Sequence, residues 1–480
     1  MVFQDLREYI RACQNIDELV EITGANWDLE IGALTEAMAE KRGPVLLFDE
    51  IVDYPPGYRV LSNAFSSFRR TAMIFDLPSE LSGIELLNAW RERARNYKPI
   101  APVESDDGPI MEHVAVGDSV NLWGFPAPRW HAMDGGRYLG TGCAVITRDP
   151  DTGVVNLGTH RCMIQSENTI FVKLNTGKHG RMAMDKCHSR GESCPVAISI
   201  GHEPSIFAAA SAPLPPEVDE YSYAGWLRSK PVEVIKSDYS GLPIPSYAEI
   251  VFEGEIPPLD ASKLPREGPF GEWPGYYSDT TVGEVPLMIV RRILHRDKPI
   301  ILGVPPMKPP APWCFAVPFG AAQLWDQLEK AGIPEVKGVW GFVSAGAPGM
   351  FVVVAIKQAY AGHSKQTGLA AATCRAGAYG GKFVVVVDED VDITNPGEVI
   401  WVISTRCNIR EDIEVIKGVW TSPADPAISP QDRAHRNYVS DRLVIDACRP
   451  YNWIQEFPQV NAFSKQEKEE TVAKWGLSVG

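Results

Sequence analysis

The hydrophobic pattern of this 480-residue chain changes character twice, and this restricts the fold more than any single motif does. Helix and strand patterns alternate first, over FQDLREYIRACQ, ELVEIT, DLEIGALTEAMAEKRG and VLLFDEI. Proline and acidic residues in PIAPVESDDGPI, at 99–110, then interrupt the pattern and predict a linker. We therefore predict an N-terminal α/β domain over residues 1–115.

From about residue 118 onward, strand signals dominate. CAVITRD and GVVNLGTHRCMI flank the turn DPDTG and predict a hairpin, and further strands are predicted over SIFAAASA, VEVIKSD, YAEIVFEG, PLMIVRRIL and IILGV. Frequent turns and few helices favour a barrel or sandwich over residues 116–305.

The last third, residues 306–480, returns to an α/β pattern. Helices are predicted over AAQLWDQLEKAG, near GLAAATC and in a Lys/Glu-rich segment near the end, and strands over MFVVVAI, KFVVVVDED and VIWVIST. The amphipathic segment FSKQEKEETVAKWGL is predicted to pack on a neighbouring subunit.

Charge and cysteine content limit the location and the partners of the protein. The formal net charge of −15 disfavours nucleic acids and anionic membranes, which are bound by clustered Lys and Arg. Asp5, Arg7 and Glu8 stand where a signal peptide needs apolar residues, and no apolar run has membrane-spanning length. The nine cysteines are scattered and predict reduced thiols. We therefore expect a cytoplasmic protein.

The hexapeptide EGPFGE, Glu267 to Glu272, places two carboxylates five residues apart. Neither a strand nor a helix puts such a pair on one face, so the backbone has to bend if both acids are to enter one cavity. Gly268, Pro269 and Gly271 suit such a bend. Converging carboxylates can divide their work, one ionised and one carrying a proton. A surface loop with two solvated acids is the alternative.

A second polar series lies on the strand NLGTHR, which carries Asn156, Gly158, Thr159, His160 and Arg161. Gly158 permits a ligand to approach the backbone closely, although an edge strand with a solvated face would give the same pattern.

Downstream, His179 and Glu220 stand beside turn-forming residues, where functional side chains often lie and where surface polar groups are also common.

Together these motifs resemble one family. DGGRY at 134–138, NLGTHR, EGPFGEWPGYY at 267–277 and STRC at 404–407 have the order and spacing of UbiD-type decarboxylases, which use prenylated FMN (prFMN). The resemblance covers most of the chain. It implies an α/β (α+β) fold in which the central domain is a flavin-binding split β-barrel and the C-terminal domain mediates oligomerisation as a homodimer or homohexamer.

The resemblance also implies roles for individual residues. Arg161, Glu267 and Glu272 match the catalytic set, in which Arg161 and Glu267 orient the substrate carboxylate and Glu272 donates the proton. The positions that match cofactor contacts are Gly158, Thr159, His160, Arg161, Lys178, His179 and Arg375.

Asn156, His179 and Glu220 match the ligands of a divalent metal that holds the cofactor phosphate. The donor set suits Mn²⁺ or Mg²⁺, of which we expect manganese, and the family adds K⁺ nearby.

The implied reaction is the reversible, non-oxidative decarboxylation of an aromatic, heteroaromatic or α,β-unsaturated acid through a covalent prFMN adduct. A cofactor must act as the electron sink, since no side chain can stabilise an aryl or vinyl carbanion. The small acid, CO₂ and a flavin prenyltransferase that supplies the cofactor are the implied partners.

Substrate choice stays open between benzoic, heteroaromatic, cinnamic-type and thioester-linked acids. Lys308, Trp313 and Phe315, in the segment at 303–318, are candidates to line the substrate pocket, with a Pro-rich linker as the alternative. Lys308 in the pocket would favour a hydroxylated acid or one with a second carboxylate, and its absence would favour an apolar aromatic acid. An FMN-dependent reductase and a non-catalytic flavin- and metal-binding subunit of a larger decarboxylase are the competing functions.

Overall fold

The fold of the computed structural model is mixed α/β, as predicted, and the structure describes residues 3–215, 218–258, 266–277, 285–309, 311, 315–343 and 348–477. The α-helices of these residues are α1 (Leu6–Asn15), α2 (Glu30–Ala39), α3 (Phe68–Ile74), α4 (Gly83–Arg95), α5 (His179–Ser189), α6 (Pro204–Ser211), α7 (Glu220–Leu227), α8 (Phe319–Lys330), α9 (His363–Thr373), α10 (Arg375–Ala378), α11 (Pro396–Arg406), α12 (Pro430–Ala434) and α13 (Lys465–Lys474).

The β-strands of the same residues are β1 (Leu19–Thr23), β2 (Val45–Asp49), β3 (Arg59–Ser62), β4 (Val103–Glu104), β5 (His113–Val116), β6 (Tyr138–Gly140), β7 (Cys143–Arg148), β8 (Val155–Gly158), β9 (Cys162–Ser166), β10 (Thr169–Val172), β11 (Cys194–Ile200), β12 (Glu233–Lys236), β13 (Pro243–Pro245), β14 (Ile250–Ile256), β15 (Leu287–His295), β16 (Ile300–Leu302), β17 (Val336–Phe342), β18 (Phe351–Ile356), β19 (Phe383–Asp388), β20 (Ile413–Trp420) and β21 (Val439–Asp446).

In the described residues the strands form four sheets. The N-terminal sheet has the order β1-β2-β3-β16, and the C-terminal sheet has the order β17-β18-β19-β21-β20. The central nine-stranded sheet runs β6-β9-β10-β15-β14-β11-β7-β8, with β5 paired to β15, and a small sheet is ordered β13-β12-β4. The central path ends at β6 and β8, so among the described strands no pairing closes it, which is compatible with a split barrel.

The N-terminal sheet contains strands from distant parts of the chain. β1 and β2 are parallel, with Leu19 opposite Val45. The helix α2 lies between them in the chain and forms the crossover connection that parallel strands need. β16 pairs in parallel with β3, with Ile300 opposite Arg59, although it follows the central sheet in the chain. The predicted domain boundaries near residues 115 and 305 stay predictions.

The hairpin predicted around DPDTG is present as β7 and β8, in antiparallel register with Thr147 opposite Asn156. Its second strand is shorter than predicted. β8 ends at Gly158 and β9 begins at Cys162, because the chain crosses here from one part of the central sheet to another. In this connection the Thr159 N–H donates to the Ala210 carbonyl and not to a neighbouring strand. Three predicted site residues, 159–161, therefore lie in a connection between strands.

Two apolar runs predicted as strands are helices. SIFAAASA lies in α6, where Pro204 occupies the first turn and Glu203 caps the helix. VIWVIST lies in α11, where Pro396 occupies the first turn and Asn395 is the cap. Short apolar runs do not distinguish a strand from a buried helix by periodicity, and in both cases the cap and the proline decided the structure.

The linker predicted at 99–110 is partly a strand. β4 pairs in parallel with β12, with Val103 opposite Glu233, so this segment adds an edge strand to the small sheet. The remaining predicted strands and helices are present, with shifted ends. The elements that had no counterpart in the prediction are the strands β3, β5, β6, β10, β11, β13, β17, β20 and β21 and the helices α3, α4, α5, α7, α10 and α12.

Two large hydrophobic clusters hold the layers together. One includes Leu61 of the N-terminal sheet, Trp90 of α4 and Val385 of the C-terminal sheet. The other fills the central sheet around Ile198 and Phe252. None of the helices in the described ranges combines the length and apolar character that a membrane crossing requires. The eight cysteines in these ranges are free thiols.

A buried ionic network joins α1 to the central sheet. Arg7 donates from Nε and Nη2 to the two oxygens of Glu249, each at 2.8 Å. Arg296 donates to Asp5 at 2.8 Å and to Glu249 at 3.3 Å. The Glu249 side chain is fully buried. Removing the charge of this shared carboxylate leaves Arg296 with Asp5 alone and takes from Arg7 the buried anion that it binds through two nitrogens.

We therefore expect Glu249→Gln to lower the free energy of unfolding by about 3–5 kcal/mol. Glu255→Gln is the matched control, because Glu255 pairs with Arg291 at 3.1 Å on the exposed side of the same region, and exposed pairs contribute less than about 1 kcal/mol. Denaturant unfolding followed by tryptophan fluorescence measures both. Equal effects of the two changes would contradict a structural role for the buried network.

Candidate active site

The Arg161 guanidinium is held by a buried carboxylate. Its Nε donates to Glu267 Oε1 and its Nη2 donates to Glu267 Oε2, each at 2.8 Å. The side chains are 9% and 1% exposed. Burial opposes the positive charge, but Glu267 and then Glu272 outweigh it and raise the pKa of Arg161 above its usual range. Arg161 is therefore a permanent cation in this position.

Glu272 binds the same guanidinium from another side. Arg161 Nη1 donates to Glu272 Oε1 at 3.1 Å, and the Glu272 side chain is 26% exposed. Although the sequence separates them by five residues, both acids of EGPFGE thus converge on one cation. The two carboxylates differ in burial, and this is the asymmetry that a fixed anion and a proton carrier require.

The backbone of EGPFGE bends as the sequence predicts. Gly268 has φ 86°, a conformation that favours glycine, and the Gly268–Pro269 peptide bond is cis. After Glu272 the chain turns back, with the Glu272 N–H donating to the Tyr276 carbonyl at 2.9 Å and the Gly275 N–H to the Glu272 carbonyl at 2.8 Å.

The DGGRY segment packs directly against this bend. The Gly135 N–H donates to the Pro269 carbonyl at 2.8 Å. A Cβ atom on Gly135 would lie 1.9 Å from the Gly268 carbonyl oxygen, so only glycine fits there. Asp134 accepts a hydrogen bond from the Tyr277 hydroxyl at 3.0 Å. Two motifs separated by more than a hundred residues therefore form one structural unit.

These residues border a cavity of about 500 Å³. This volume lies within the roughly 300–1,000 Å³ typical of ligand and cofactor sites. The predicted site residues that line it are Asn156, Gly158, Thr159, His160, Arg161, Lys178, His179, Glu220, Glu272 and Arg375. Glu267 is not part of the described cavity wall, but it is hydrogen-bonded to Arg161, which is.

The predicted metal ligands stand on three different elements. Asn156 lies on β8, His179 is the first residue of α5, and Glu220 is the first residue of α7. Asn156 Nδ2 would lie 3.6 Å from a Cβ atom on Gly180, so the amide faces the start of α5. Within the described residues, no group of three or more His, Cys, Asp or Glu side chains is placed to hold a metal. A metal here would therefore need the Asn156 amide and oxygens from a bound molecule.

Glu220 is a desolvated carboxylate. It is 8% exposed and accepts the Leu157 N–H at 3.2 Å. Burial raises the pKa of Glu220 to about 7, against the opposing effect of that hydrogen bond. A divalent cation beside Glu220 would hold it ionised, so the residue fits a metal ligand.

His160 is a neutral imidazole on the cavity wall. Burial lowers its pKa to about 4, so its ring carries no charge at neutral pH. Nδ1 lies 3.0 Å from the Lys173 carbonyl oxygen, to which it donates, and this leaves Nε2 without a proton. A Cβ atom on Gly158 would lie 2.7 Å from Nε2, which explains the glycine at that position.

Cationic groups and a helix start give the cavity a local positive character despite the negative net charge. Lys173, Lys178 and Arg375 line it. α5 begins there, and its N-cap residue Lys178 makes no side-chain capping bond. Free N–H groups at a helix start bind phosphate. This donor set fits the phosphate of a flavin mononucleotide.

Several lining residues were not found from the sequence. Lys173 and Tyr379 are examples, and Tyr379 comes from the segment after α10 in the C-terminal part of the chain. Neither lies in a motif with recognisable spacing. The one sequence signal for Lys173 is its place as a charged residue directly after the apolar run TIFV, and this signal alone does not indicate a site.

The candidate specificity residues lie elsewhere, as far as the structure describes them. A Cβ atom on Gly275 would lie 2.9 Å from Lys308 Cα, so Lys308 packs on the turn after Glu272 and is absent from the described cavity wall. Phe315 is partly buried and packs in an aromatic cluster, with its ring centroid 5.1 Å from those of Phe65 and Phe75. Trp313 lies outside the described residues.

Known proteins match this chain over most of its length. Family models for 3-octaprenyl-4-hydroxybenzoate carboxy-lyase, UbiD, match residues 10–90 with the N-terminal domain, 101–309 with the Rift-related domain and 315–447 with the C-terminal domain. A pyrrole-2-carboxylic acid decarboxylase from Pseudomonas aeruginosa is 32% identical over 93% of this chain and 91% of its own length.

Two solved structures are similar over almost the entire chain. Vanillic acid decarboxylase of Sedimentibacter hydroxybenzoicus in an open form has a TM-score of 0.82 at 26% identity, covering 99% of both chains. An evolved dimeric form of the UbiD-class enzyme HmfF from Pelotomaculum thermopropionicum, in complex with prFMN, has a TM-score of 0.79 at 26% identity, covering 97% of this chain and 98% of that one. The chain therefore belongs to the UbiD family of carboxy-lyases.

Proposed function

We propose that this protein is a prFMN-dependent decarboxylase of an aromatic, heteroaromatic or α,β-unsaturated carboxylic acid, working reversibly. The observation that carries the proposal is the Arg161 guanidinium shared between Glu267 and Glu272 at the wall of a cofactor-sized cavity. The activities of two relatives, on pyrrole-2-carboxylic acid and on vanillic acid, support an acid substrate of this kind.

Charge balance assigns the roles of the two acids. Glu267 is held by two nitrogens of Arg161 and is buried, so we assign it to fix the cation as a carboxylate. A substrate carboxylate that binds beside Arg161 would place a third anion around one guanidinium. Glu272, the more exposed acid, is the group that we assign to carry a proton. It then delivers this proton to the substrate carbon from which CO₂ leaves.

A bound cofactor would supply the chemistry that side chains cannot. Bound prFMN would provide the electron sink for the electrons left on the substrate carbon. Gly158, Thr159 and His160 would lie along it, since they form the cavity wall next to Arg161. Lys178, His179 and Arg375 would hold its phosphate by charge and hydrogen bonds.

A divalent metal would complete the phosphate site. Asn156, His179 and Glu220 would hold Mn²⁺, or Mg²⁺, together with phosphate oxygens, since amide, imidazole and carboxylate donors suit these ions. Its charge would keep Glu220 ionised and anchor the cofactor. We include K⁺ near Glu220 on the family resemblance alone.

Self-association as a homodimer or homohexamer is part of the proposal. Phe463, Trp475 and Leu477, around α13, are 73%, 71% and 65% exposed. Exposed large apolar side chains concentrated in one segment support packing of this segment on a neighbouring subunit.

A flavin-dependent reductase is the less favoured function, because hydride transfer has no use for a buried arginine clamped by two acids. A non-catalytic subunit would bind the flavin but would release no CO₂ without a partner. Measuring CO₂ release by the purified protein alone separates these possibilities.

Coexpression with a flavin prenyltransferase is expected to yield protein with a perturbed flavin spectrum that releases CO₂ from at least one acid. The panel contains benzoic, heteroaromatic, cinnamic-type and thioester-linked acids, and CO₂ release is measured with the purified protein alone. Protein that contains unmodified FMN serves as the matched control and should be inactive. Full activity with unmodified FMN, or no CO₂ from any acid, would refute the proposal.

Glu272→Gln is expected to lower kcat by about 10²- to 10⁴-fold while the cofactor stays bound, because glutamine retains the shape but cannot donate a carboxyl proton. Turnover and flavin absorbance are measured on the same preparation. Glu255→Gln, on the exposed pair with Arg291, should leave both unchanged. Turnover near wild type in Glu272→Gln would remove this residue from its assigned role.

Glu220→Gln is expected to weaken Mn²⁺ binding by at least about 10- to 100-fold, since changes around metal ligands already have effects of this size. Calorimetric titration with Mn²⁺ and the retained flavin content measure the effect. Glu192→Gln, an exposed residue in the turn before β11, is the control. Unchanged metal affinity in Glu220→Gln would place the metal elsewhere.

A further inference from the structure

A third hydrogen-bond donor reaches Glu267 besides the two nitrogens of Arg161. The Tyr138 hydroxyl donates to Glu267 Oε1 at 3.0 Å, the same oxygen that accepts from Arg161 Nε. Tyr138 has no exposed surface, and Glu267 is 2% exposed. Hydrogen bonds to a buried charged group are among the strongest in proteins, so this contact restricts the rotation of the Glu267 carboxylate.

The position of the Tyr138 ring is itself fixed. Its centroid lies 3.9 Å from that of Phe270, inside EGPFGE. Its backbone N–H donates to the Pro128 carbonyl at 3.0 Å, and it pairs with Met163 across β6 and β9. The adjoining Gly135 is bonded to Pro269. The hydroxyl is therefore presented to Glu267 from a rigid support.

Tyr138 remains a donor in this environment. Burial and the neighbouring Glu267 carboxylate raise the pKa of Tyr138 above its usual range, against the opposing charge of Arg161. Asp134 acts in the same direction as Glu267. The phenol thus keeps its proton.

We propose that Tyr138 is a positioning residue for the decarboxylation, acting through Glu267 on Arg161. Its hydroxyl holds Glu267 in the orientation that engages Arg161 through both Nε and Nη2. Nη1 is then left directed toward Glu272 and the cavity. The inference rests on the proposed function for its kinetic consequence, but its geometric part stands independently of any reaction.

Loss of the Tyr138 hydroxyl is expected to affect substrate binding more than proton transfer. Without the hydroxyl, Glu267 can rotate and the bidentate pair with Arg161 loosens. A guanidinium that no longer has one orientation binds the substrate carboxylate less well, and small misplacements of such groups have large kinetic effects. A merely structural role for Tyr138 would instead reduce the fraction of folded enzyme, which lowers kcat and leaves KM unchanged.

Tyr138→Phe tests this inference, because it retains the ring on Phe270 and removes only the hydroxyl. We expect KM for the decarboxylated acid to rise about 10- to 100-fold with a smaller change in kcat. The crystal structure of the variant should show the Arg161–Glu267 pair no longer bonded through both nitrogens. Tyr9→Phe is the control, since it removes an equally buried tyrosine hydroxyl, bonded to the Ala64 carbonyl, from a distant part of the fold.

4-Aminophenylalanine in place of Tyr138 keeps both the ring and a donor, and it should restore the KM that Tyr138→Phe loses. An unchanged bidentate pair in the crystal structure of Tyr138→Phe, or an unchanged KM, would overturn the inference. If wild-type protein releases no CO₂ from any acid, the proposed function fails, while the crystal structures of the two variants still decide whether Tyr138 positions Glu267.

Discussion

The ion cluster of Arg161 with Glu267 and Glu272 is the interaction on which the rest of the site depends. A guanidinium that is only 9% exposed needs a partner, because an unpaired buried charge is strongly destabilising. Glu267 fulfils this need with both of its oxygens, so Arg161 is fixed before any ligand arrives. Glu272 shares the same cation but keeps access to the cavity. One cation therefore gives two identical side chains different environments.

The scaffold around this cluster is built to bring distant segments together. The connection between β8 and β9 leaves Arg161 outside regular pairing, where its side chain can face the acids. The DGGRY segment approaches the acid segment so closely that Gly135 has no room for a side chain. α5 and α7 both begin at the cavity, which places His179 and Glu220 at helix starts. The sheet thus supplies rigidity, and the connections supply the chemistry.

The electrostatics of the cavity differ from those of the molecule. A net charge of −15 would repel an anionic cofactor, yet Lys173, Lys178 and Arg375 gather at the cavity wall. Arg375 comes from α10, next to the C-terminal sheet, while Lys178 comes from the central part of the chain. The binding site is therefore completed by parts of the chain that are far apart in sequence, and its charge cannot be read from the composition.

The sequence by itself determined the alternation of α/β and β segments and the hairpin of β7 and β8, because periodicity and turn residues are local properties. The candidate site residues came from motif spacing together with the family resemblance. Local periodicity gave the wrong structure for α6 and α11, where a proline and a capping side chain outweighed an apolar run. Only the tertiary structure decided that Glu267 is the buried acid, that Tyr138 reaches it, and that Lys308 and Phe315 lie off the described cavity wall. The contacts of Glu267 and Phe315 join segments more than a hundred residues apart, and that of Lys308 joins two separate loops, so no local pattern encodes them.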